Sequence, residues 1–189
     1  MEGKEEAGAV GGFRDGKGLY SHLRGDGKGK TTAAIGLAVR CAGSGRKVLF
    51  TQFLKGNNSS EIDSLERIPK IIIYQNQKEF GFAFNMDTQE KMDAKTYYRD
   101  HFREAIYFAK REDVRLLVLD ELLDVYNLNM VDQEEVCQFL RTRPEHMEVV
   151  LTGRNPAPEL LQMADYVSHV EKKKHPYDWG LVAREGIEM

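Results

Sequence analysis

The chain has 189 residues, of which 41% are hydrophobic and 30% are charged, an ordinary balance for one globular domain. Its net charge of −3 gives no support for a nucleic-acid binder, and no apolar run reaches the length of a membrane span. The two cysteines are far apart, so the sequence predicts neither a disulfide framework nor a cysteine metal site, as suits a reducing cytoplasm.

The first 17 residues are rich in glycine and charge and contain no apolar core of a signal peptide. We therefore expect a flexible N-terminal tail over residues 1–17. A single domain is expected over residues 18–189, in a cytoplasmic protein.

After the tail, short apolar runs alternate with stretches of helical periodicity. The predicted strands are a run ending at Leu23 and residues 47–53, 70–74, 114–121, 147–153 and 165–170. The predicted helices are residues 31–42, 87–111, a stretch from Asp132 to before Pro144, and residues 157–164. Apolar strands alternating with helices are typical of an α/β fold with a mostly parallel central sheet and helices on both faces.

A glycine-rich loop lies between the first predicted strand and the first predicted helix. It fits the second half of the Walker pattern G-x-x-x-x-G-K-S/T, although Arg24 stands at the first glycine position. Its glycines would let backbone N–H groups turn around an anion, to which the helix adds its positive end. Lys30 would bind a phosphate oxygen and the Thr31 hydroxyl would bind Mg²⁺, so these two are the predicted catalytic residues. The predicted nucleotide-binding residues are Gly25, Asp26, Gly27, Lys28, Gly29, Lys30, Thr31 and Thr32.

Polar residues follow several of the predicted strands. The run at 114–121 ends in Asp120 and Glu121, and in P-loop proteins such an acid orients the metal or its water. With Thr31, both acids are therefore predicted Mg²⁺ ligands. Gln52 and Lys55 follow another strand and residues 152–154 a third, at the edge where α/β sheets bind ligands. The sequence leaves open whether these further residues bind a ligand or are ordinary surface polar groups.

Five ordered segments together resemble one family, the ATP:corrinoid adenosyltransferases, often called cob(I)yrinic acid a,c-diamide adenosyltransferases. The loop of that family also lacks the first Walker glycine, and the resemblance continues from GDGKGKTT to QFLKG at 52–56. The remaining segments are VLDE at 118–121, RPEHMEVVLTGRNPAPELLQMADYV at 143–167 and KKHPYDWGLVAREGIE at 173–188. The similarity covers roughly residues 17–188, and it implies a RecA-like P-loop fold.

The resemblance also implies an activity. Enzymes of this family transfer the 5′-deoxyadenosyl group of ATP to the Co(I) centre of a corrinoid and release triphosphate, with Mg²⁺ as cofactor. The acceptor would be cobalamin, cobinamide or cobyrinate diamide, the electron donor a reduced flavoprotein, and the assembly a homodimer. The segment at 81–84 resembles a family segment with an aromatic pair, which implies that Phe82 and Phe84 form a wall beneath the corrin. Without the family, period-two spacing would make them core aromatics of a strand.

Two other classes of function remain open at this point. A hydrolysing P-loop ATPase or a small-molecule kinase would yield ADP rather than triphosphate. A non-catalytic module that binds ATP or a corrinoid would form no cobalt–carbon bond.

Overall fold

The computed structural model describes residues 18–55, 59–78, 80–81 and 85–187. Within them six strands form one sheet in the order β3-β2-β4-β5-β1-β6, and every neighbouring pair is parallel. This confirms the predicted α/β class. The strands are β1 (Tyr20–Arg24), β2 (Val48–Gln52), β3 (Ile71–Ile73), β4 (Leu116–Asp120), β5 (Glu148–Gly153) and β6 (Tyr166–His169).

Six α-helices connect the strands. They are α1 (Lys30–Gly43), α2 (Ser60–Leu65), α3 (Thr88–Arg111), α4 (Leu122–Asn127), α5 (Gln133–Thr142) and α6 (Pro158–Met163). The four predicted helices are present, but α2 and α4 were not predicted, because six residues are too few to display a helical period. A short 3₁₀ turn follows at Pro176–Trp179.

Local signals explain where the longer helices begin. Asp87 and Glu90 form a reciprocal capping box at the start of α3, and the Asp132 carboxylate accepts from the Glu135 amide at the start of α5. After α1, Gly45 adopts a φ of 80°, the left-handed conformation that glycine accepts at a helix end.

Helices cover both faces of the sheet. On one face, α1 and α2 pack against a core that includes Leu116 and Val118 of β4. On the other face, the alternate residues Leu117 and Leu119 pack with buried side chains of α3 to α6. Because β4 is buried on both faces, its sequence is continuously apolar rather than alternating.

The two edge strands of the sheet differ in exposure. All four residues of β6 are exposed, whereas β3 at the opposite edge is partly buried, and β1 lies between β6 and β5. The longest helix, α3, has 24 residues and many charges. Among the described residues, none of the helices combines the length and the apolar character needed to cross a membrane.

The predicted tail, residues 1–17, lies outside the described residues.

Candidate functional site

The ends of four strands meet around one cleft. We call the edge of the sheet where the strands end the carboxyl edge, and the cleft beside it the loop cleft. The loop cleft has a volume of about 650 Å³. It is lined by residues 26–32, by Lys55, Glu61, Glu121 and Arg154, and by part of the C-terminal segment 175–187. Seven of the eight predicted nucleotide-binding residues therefore line one cavity, and Gly25 lies outside its lining.

Two of the loop glycines form backbone hydrogen bonds with residues that are far away in the sequence. The Gly25 amide donates to the Gly153 carbonyl at 3.2 Å, and the Gly27 amide donates to the Val170 carbonyl at 2.8 Å. A Cβ at Gly25 or Gly27 would lie 2.3 or 2.8 Å from the Val170 oxygen. These two amides fix the loop to its neighbours, which differs from the expectation that all the loop glycines turn their amides to an anion.

The N-terminal end of α1 opens into the loop cleft. Gly29 precedes the helix with a φ of 118°, which only glycine adopts readily. The Ala33 amide donates to the Gly29 carbonyl at 2.8 Å. The amides of residues 30–32 lie before this bond, in the first turn, where helix amides have no acceptor within the helix. Helix amides in this position, with the helix dipole, favour an anion.

Lys30 brings a positive charge to the same end of α1. Its ammonium donates to the Gly27 carbonyl at 2.9 Å, which holds the side chain along the loop. Burial, and then the nearby Arg154 charge, lower the pKa of Lys30. A bound phosphate would offer the ammonium a better partner than a carbonyl does.

Asp120 lies fully buried at the end of β4 and is surrounded by donors. The Thr31 hydroxyl donates to its two carboxylate oxygens at 3.0 and 3.1 Å. The Thr152 hydroxyl and the Gln52 amide donate to it at 2.6 and 3.0 Å. The loop threonine and the strand-end acid that the sequence predicted as metal ligands are therefore in direct contact.

Lys55 completes this cluster, although its role was left open by the sequence. Its ammonium lies 3.1 Å from Thr31 Oγ1, 3.5 Å from Asp120 Oδ2 and 3.4 Å from Glu61 Oε1. Burial alone would lower the pKa of Lys55, but the carboxylates around it, with Asp120 first, raise it. Glu61 was not a predicted site residue, because it lies on α2, whose six residues are too few to show a helical period.

Glu121 follows Asp120 in an unusual conformation. Its φ of 64° lies in the left-handed region, which costs a non-glycine residue about 1 kcal/mol or more. Its amide donates to Thr152 Oγ1 at 2.9 Å, while its buried Oε2 has no hydrogen-bond partner among the described residues. Burial, followed by the charge of Asp120, raises the pKa of Glu121 to about 7.

The oxygen atoms of Thr31, Asp120 and Glu121 fit the chemistry of Mg²⁺. This ion prefers hard oxygen ligands and commonly binds one or two carboxylates together with water and substrate phosphates. The unpartnered Glu121 Oε2 is the kind of buried acceptor that a cation would satisfy. Across the described ranges, no group of three or more His, Cys, Asp or Glu side chains is placed to hold a metal ion.

The predicted aromatic pair, Phe82 and Phe84, lies outside the described residues. Beside this segment, Phe80 packs against Tyr97 and Tyr98, with ring centroids 5.5 Å apart in each pair. Phe80 and Tyr97 also line a second cavity of about 620 Å³. Phe80, which precedes the undescribed residues 82–84, therefore lines an aromatic-walled space.

The sequence is similar to known proteins of one family. A family model described as ATP:corrinoid adenosyltransferase BtuR/CobO/CobP matches residues 16–189. A corrinoid adenosyltransferase of Escherichia coli K12 is 34% identical over 176 residues, which cover 93% of this chain and 87% of that protein. One from Pseudomonas aeruginosa is 31% identical over 177 residues, which cover 93% of this chain and 86% of that protein.

Solved structures support the fold. A KaiC-like protein from Pyrococcus horikoshii superposes with a TM-score of 0.51 at 18% identity, covering 84% of this chain and 75% of that one. ATPases 2 and 3 of EssC from Geobacillus thermodenitrificans give a TM-score of 0.50 at 16% identity, covering 89% of this chain and 35% of that one. These likenesses agree with the RecA-like P-loop fold that was predicted.

Proposed function

The chain belongs to the ATP:corrinoid adenosyltransferase family, and from this premise we propose that it transfers the 5′-deoxyadenosyl group of ATP to the Co(I) centre of a corrinoid. One observation carries the proposal for the site itself. A lysine, a helix N-terminus and the hydroxyl of Thr31, which is held by the buried Asp120, converge on a single cleft at the carboxyl edge. This arrangement suits an enzyme that must stabilise a triphosphate anion.

The proposed reaction needs no side chain to act as a general acid or base. Co(I) attacks C5′ with its own electron pair and forms a cobalt–carbon bond. The bond between C5′ and the α-phosphate oxygen breaks, its electrons leave with triphosphate, and the cobalt becomes formally Co(III). Because the nucleophile carries no proton, the protein has two tasks: to stabilise the charge of the leaving group and to align C5′ with the cobalt.

Residues of the loop cleft carry the first task. Lys30 and the amides at the start of α1 bind the phosphate oxygens, and residues 26–32 enclose them. Mg²⁺ would be held by Thr31, Asp120 and Glu121, and when bound it supplies positive charge to the triphosphate. Arg154 lines the same cleft and adds a further cation close to Lys30.

The second task falls to the corrinoid side of the site. Phe82 and Phe84 form an apolar wall beneath the corrin and displace the axial donor of Co(II). The four-coordinate ion that results accepts an electron more readily, and a reduced flavoprotein supplies that electron. Cobalamin, cobinamide and cobyrinate diamide are the candidate acceptors.

The working form of the protein is a cytoplasmic homodimer. Large apolar side chains of the C-terminal segment support a partner surface, since Tyr177 and Trp179 are 72% and 74% exposed. Both cysteines are free thiols, as suits a reducing compartment.

Product analysis tests the proposed reaction. The protein is mixed under argon with Mg²⁺, ATP and a fully reduced corrinoid, and the phosphate products are identified by ³¹P NMR. Adenosyl transfer yields triphosphate in step with loss of the Co(I) spectrum, whereas an ATPase or kinase yields ADP. A binding module consumes no ATP, and either of these outcomes would overturn the proposal.

A further inference from the structure

The ammonium of Lys55 lies between the groups expected to bind the metal. It is 3.1 Å from Thr31 Oγ1 and 3.5 Å from Asp120 Oδ2. Its side chain is only 29% exposed, and the described part of the chain forms no other ion pair with Asp120. Since a buried carboxylate is costly without a counter-charge, Lys55 neutralises Asp120 in the protein as it stands.

The hydrogen bond from Lys55 to Thr31 places a positive charge beside the oxygen that a metal would bind. The hydroxyl hydrogen is donated to Asp120, and Lys55 donates to a lone pair of the same oxygen. A Mg²⁺ ion on Thr31 would need a lone pair of that oxygen at about 2.1 Å. The ion and the ammonium would then be close enough to repel each other strongly.

A second anchor keeps Lys55 within the cleft. Glu61 Oε1 lies 3.4 Å from the ammonium and also accepts from the Gln52 amide at 3.0 Å. Both Lys55 and Glu61 line the loop cleft, so the ammonium can leave Thr31 without leaving the cavity in which phosphates are expected. Phosphate oxygens would give it a new anionic partner.

We propose that Lys55 is a resident cation that fills the metal position until the nucleotide arrives. The protein then admits Mg²⁺ together with ATP, because only the triphosphate supplies both further ligands for the metal and a new partner for Lys55. Metal alone binds poorly, since it must displace the ammonium without compensation. This inference rests on the proposed metal site at Thr31 and Asp120 and assigns Lys55 a positioning role.

Binding of Mn²⁺, a probe for Mg²⁺, tests the inference by electron paramagnetic resonance, without any turnover. Free Mn²⁺ is titrated against the wild-type protein and Lys55→Met, Lys55→Arg and Lys47→Met variants, each with and without ATP. Lys47 is the matched control, since its exposed ammonium pairs with Glu112 at 3.3 Å, just before β2 begins and away from the carboxyl edge. Lys55→Arg retains the positive charge.

We expect Lys55→Met to bind Mn²⁺ without ATP at least about tenfold more tightly than wild type, because one competing charge is gone. Lys55→Arg and Lys47→Met should resemble wild type. If Lys55→Met gains no affinity while wild type binds Mn²⁺ with ATP, the role of Lys55 is refuted and the metal site stands. If wild type binds no Mn²⁺ even with ATP, both are refuted.

A second measurement does not depend on how the Lys55→Met variant folds. Lysines of the wild-type protein are ¹³C-dimethylated, and the Lys55 signal is assigned by its absence from Lys55→Arg. MgATP should shift this signal, and Mg²⁺ alone at the same concentration should not. A shift with Mg²⁺ alone, or none with MgATP, would overturn the inference.

Discussion

The Thr31 hydroxyl donates to both carboxylate oxygens of Asp120, at 3.0 and 3.1 Å, and so joins the phosphate loop to the end of β4. The two residues are 89 positions apart in the chain. Because Asp120 is fully buried and Thr31 lines the loop cleft, the pair orients the Thr31 oxygen towards a ligand. Several predictions depend on this contact and on its surroundings.

Thr31→Val should remove the ligand oxygen while keeping the shape of the side chain. We expect the Mg²⁺ concentration for half-maximal transfer to rise at least about tenfold and kcat/KM to fall by about 10²-fold. Thr31→Ser is the matched control, because it keeps the hydroxyl, and it should stay within about threefold of wild type. Equal losses in both variants would contradict a metal-binding role.

Lys30→Met should lower kcat/KM by about 10²- to 10³-fold, because the variant keeps the length of the side chain but loses its charge beside the leaving group. Lys28 lines the same cleft but is exposed, so Lys28→Met should lose about tenfold or less. Steady-state rates with a pre-reduced corrinoid measure both. Comparable losses in the two variants would mean that Lys30 has no special position.

Gly27→Ala should destabilise the protein, since the new Cβ would lie 2.8 Å from the Val170 oxygen. We expect a loss of about 1–3 kcal/mol in the free energy of unfolding. Gly36→Ala is the control, because Gly36 is exposed within α1 and its Cβ would meet nothing within 4 Å. That change should stabilise by about 0.5–1 kcal/mol. Urea unfolding measures both, and a neutral Gly27→Ala would show that the loop is not held by residues 169–171.

Two buried histidines make stability depend on pH. Burial is the main cause that lowers the pKa of His22 and of His101 to about 4, whereas in the unfolded chain it is about 6.5. The unfolded state therefore binds more protons between these values, and stability is complete above pH 6.5 and is lost as the pH falls towards 4.

His101→Gln isolates this effect and retains a partner for Thr51, whose hydroxyl lies 2.7 Å from His101 Nε2. The free energy of unfolding of wild type minus that of the variant should fall by up to about 1.4 kcal/mol per pH unit from pH 6.5 to 4.5. His22→Gln provides an independent repeat. A difference that does not change with pH would contradict neutral burial of these imidazoles.

Phe82→Ala and Phe84→Ala test the proposed corrin wall. If these rings displace the axial donor, the variants should lose reductase-supported adenosylation of Co(II), since reduction needs the four-coordinate ion. They should lose far less when Co(I) is supplied chemically. Unchanged relative rates with the two cobalt sources would contradict the proposal.

Much of the fold follows from local patterns in the sequence. The uninterrupted apolar runs predicted β2, β4 and β5, and the acids at 87 and 132 predicted where α3 and α5 begin. The polar first strand is explained only by topology, because β1 has an exposed edge strand as one neighbour. The helices α2 and α4 escaped prediction because six residues are too few to show a helical period.

The sequence predicted which residues form the site, but it did not predict how they contact one another. The loop motif and the strand-end acids identified Lys30, Thr31 and Asp120, since both lie at the carboxyl ends of parallel strands. The packing of Gly25 and Gly27 against residues 169–171 depends on a chain segment about 145 positions away. Likewise, the contact of Lys55 with Thr31 arises from the course of the chain after β2, for which the sequence carries no local signal.

The transfer of C5′ itself is the most direct test of the proposed function. The protein is incubated under argon with Mg²⁺, a Co(I) corrinoid and ATP labelled with ¹³C at C5′, and the products are followed by ¹³C NMR in the dark and after illumination. Adenosyl transfer predicts that the label becomes bonded to cobalt in a light-sensitive product. A label that stays in an adenosine phosphate while ATP is consumed would contradict it.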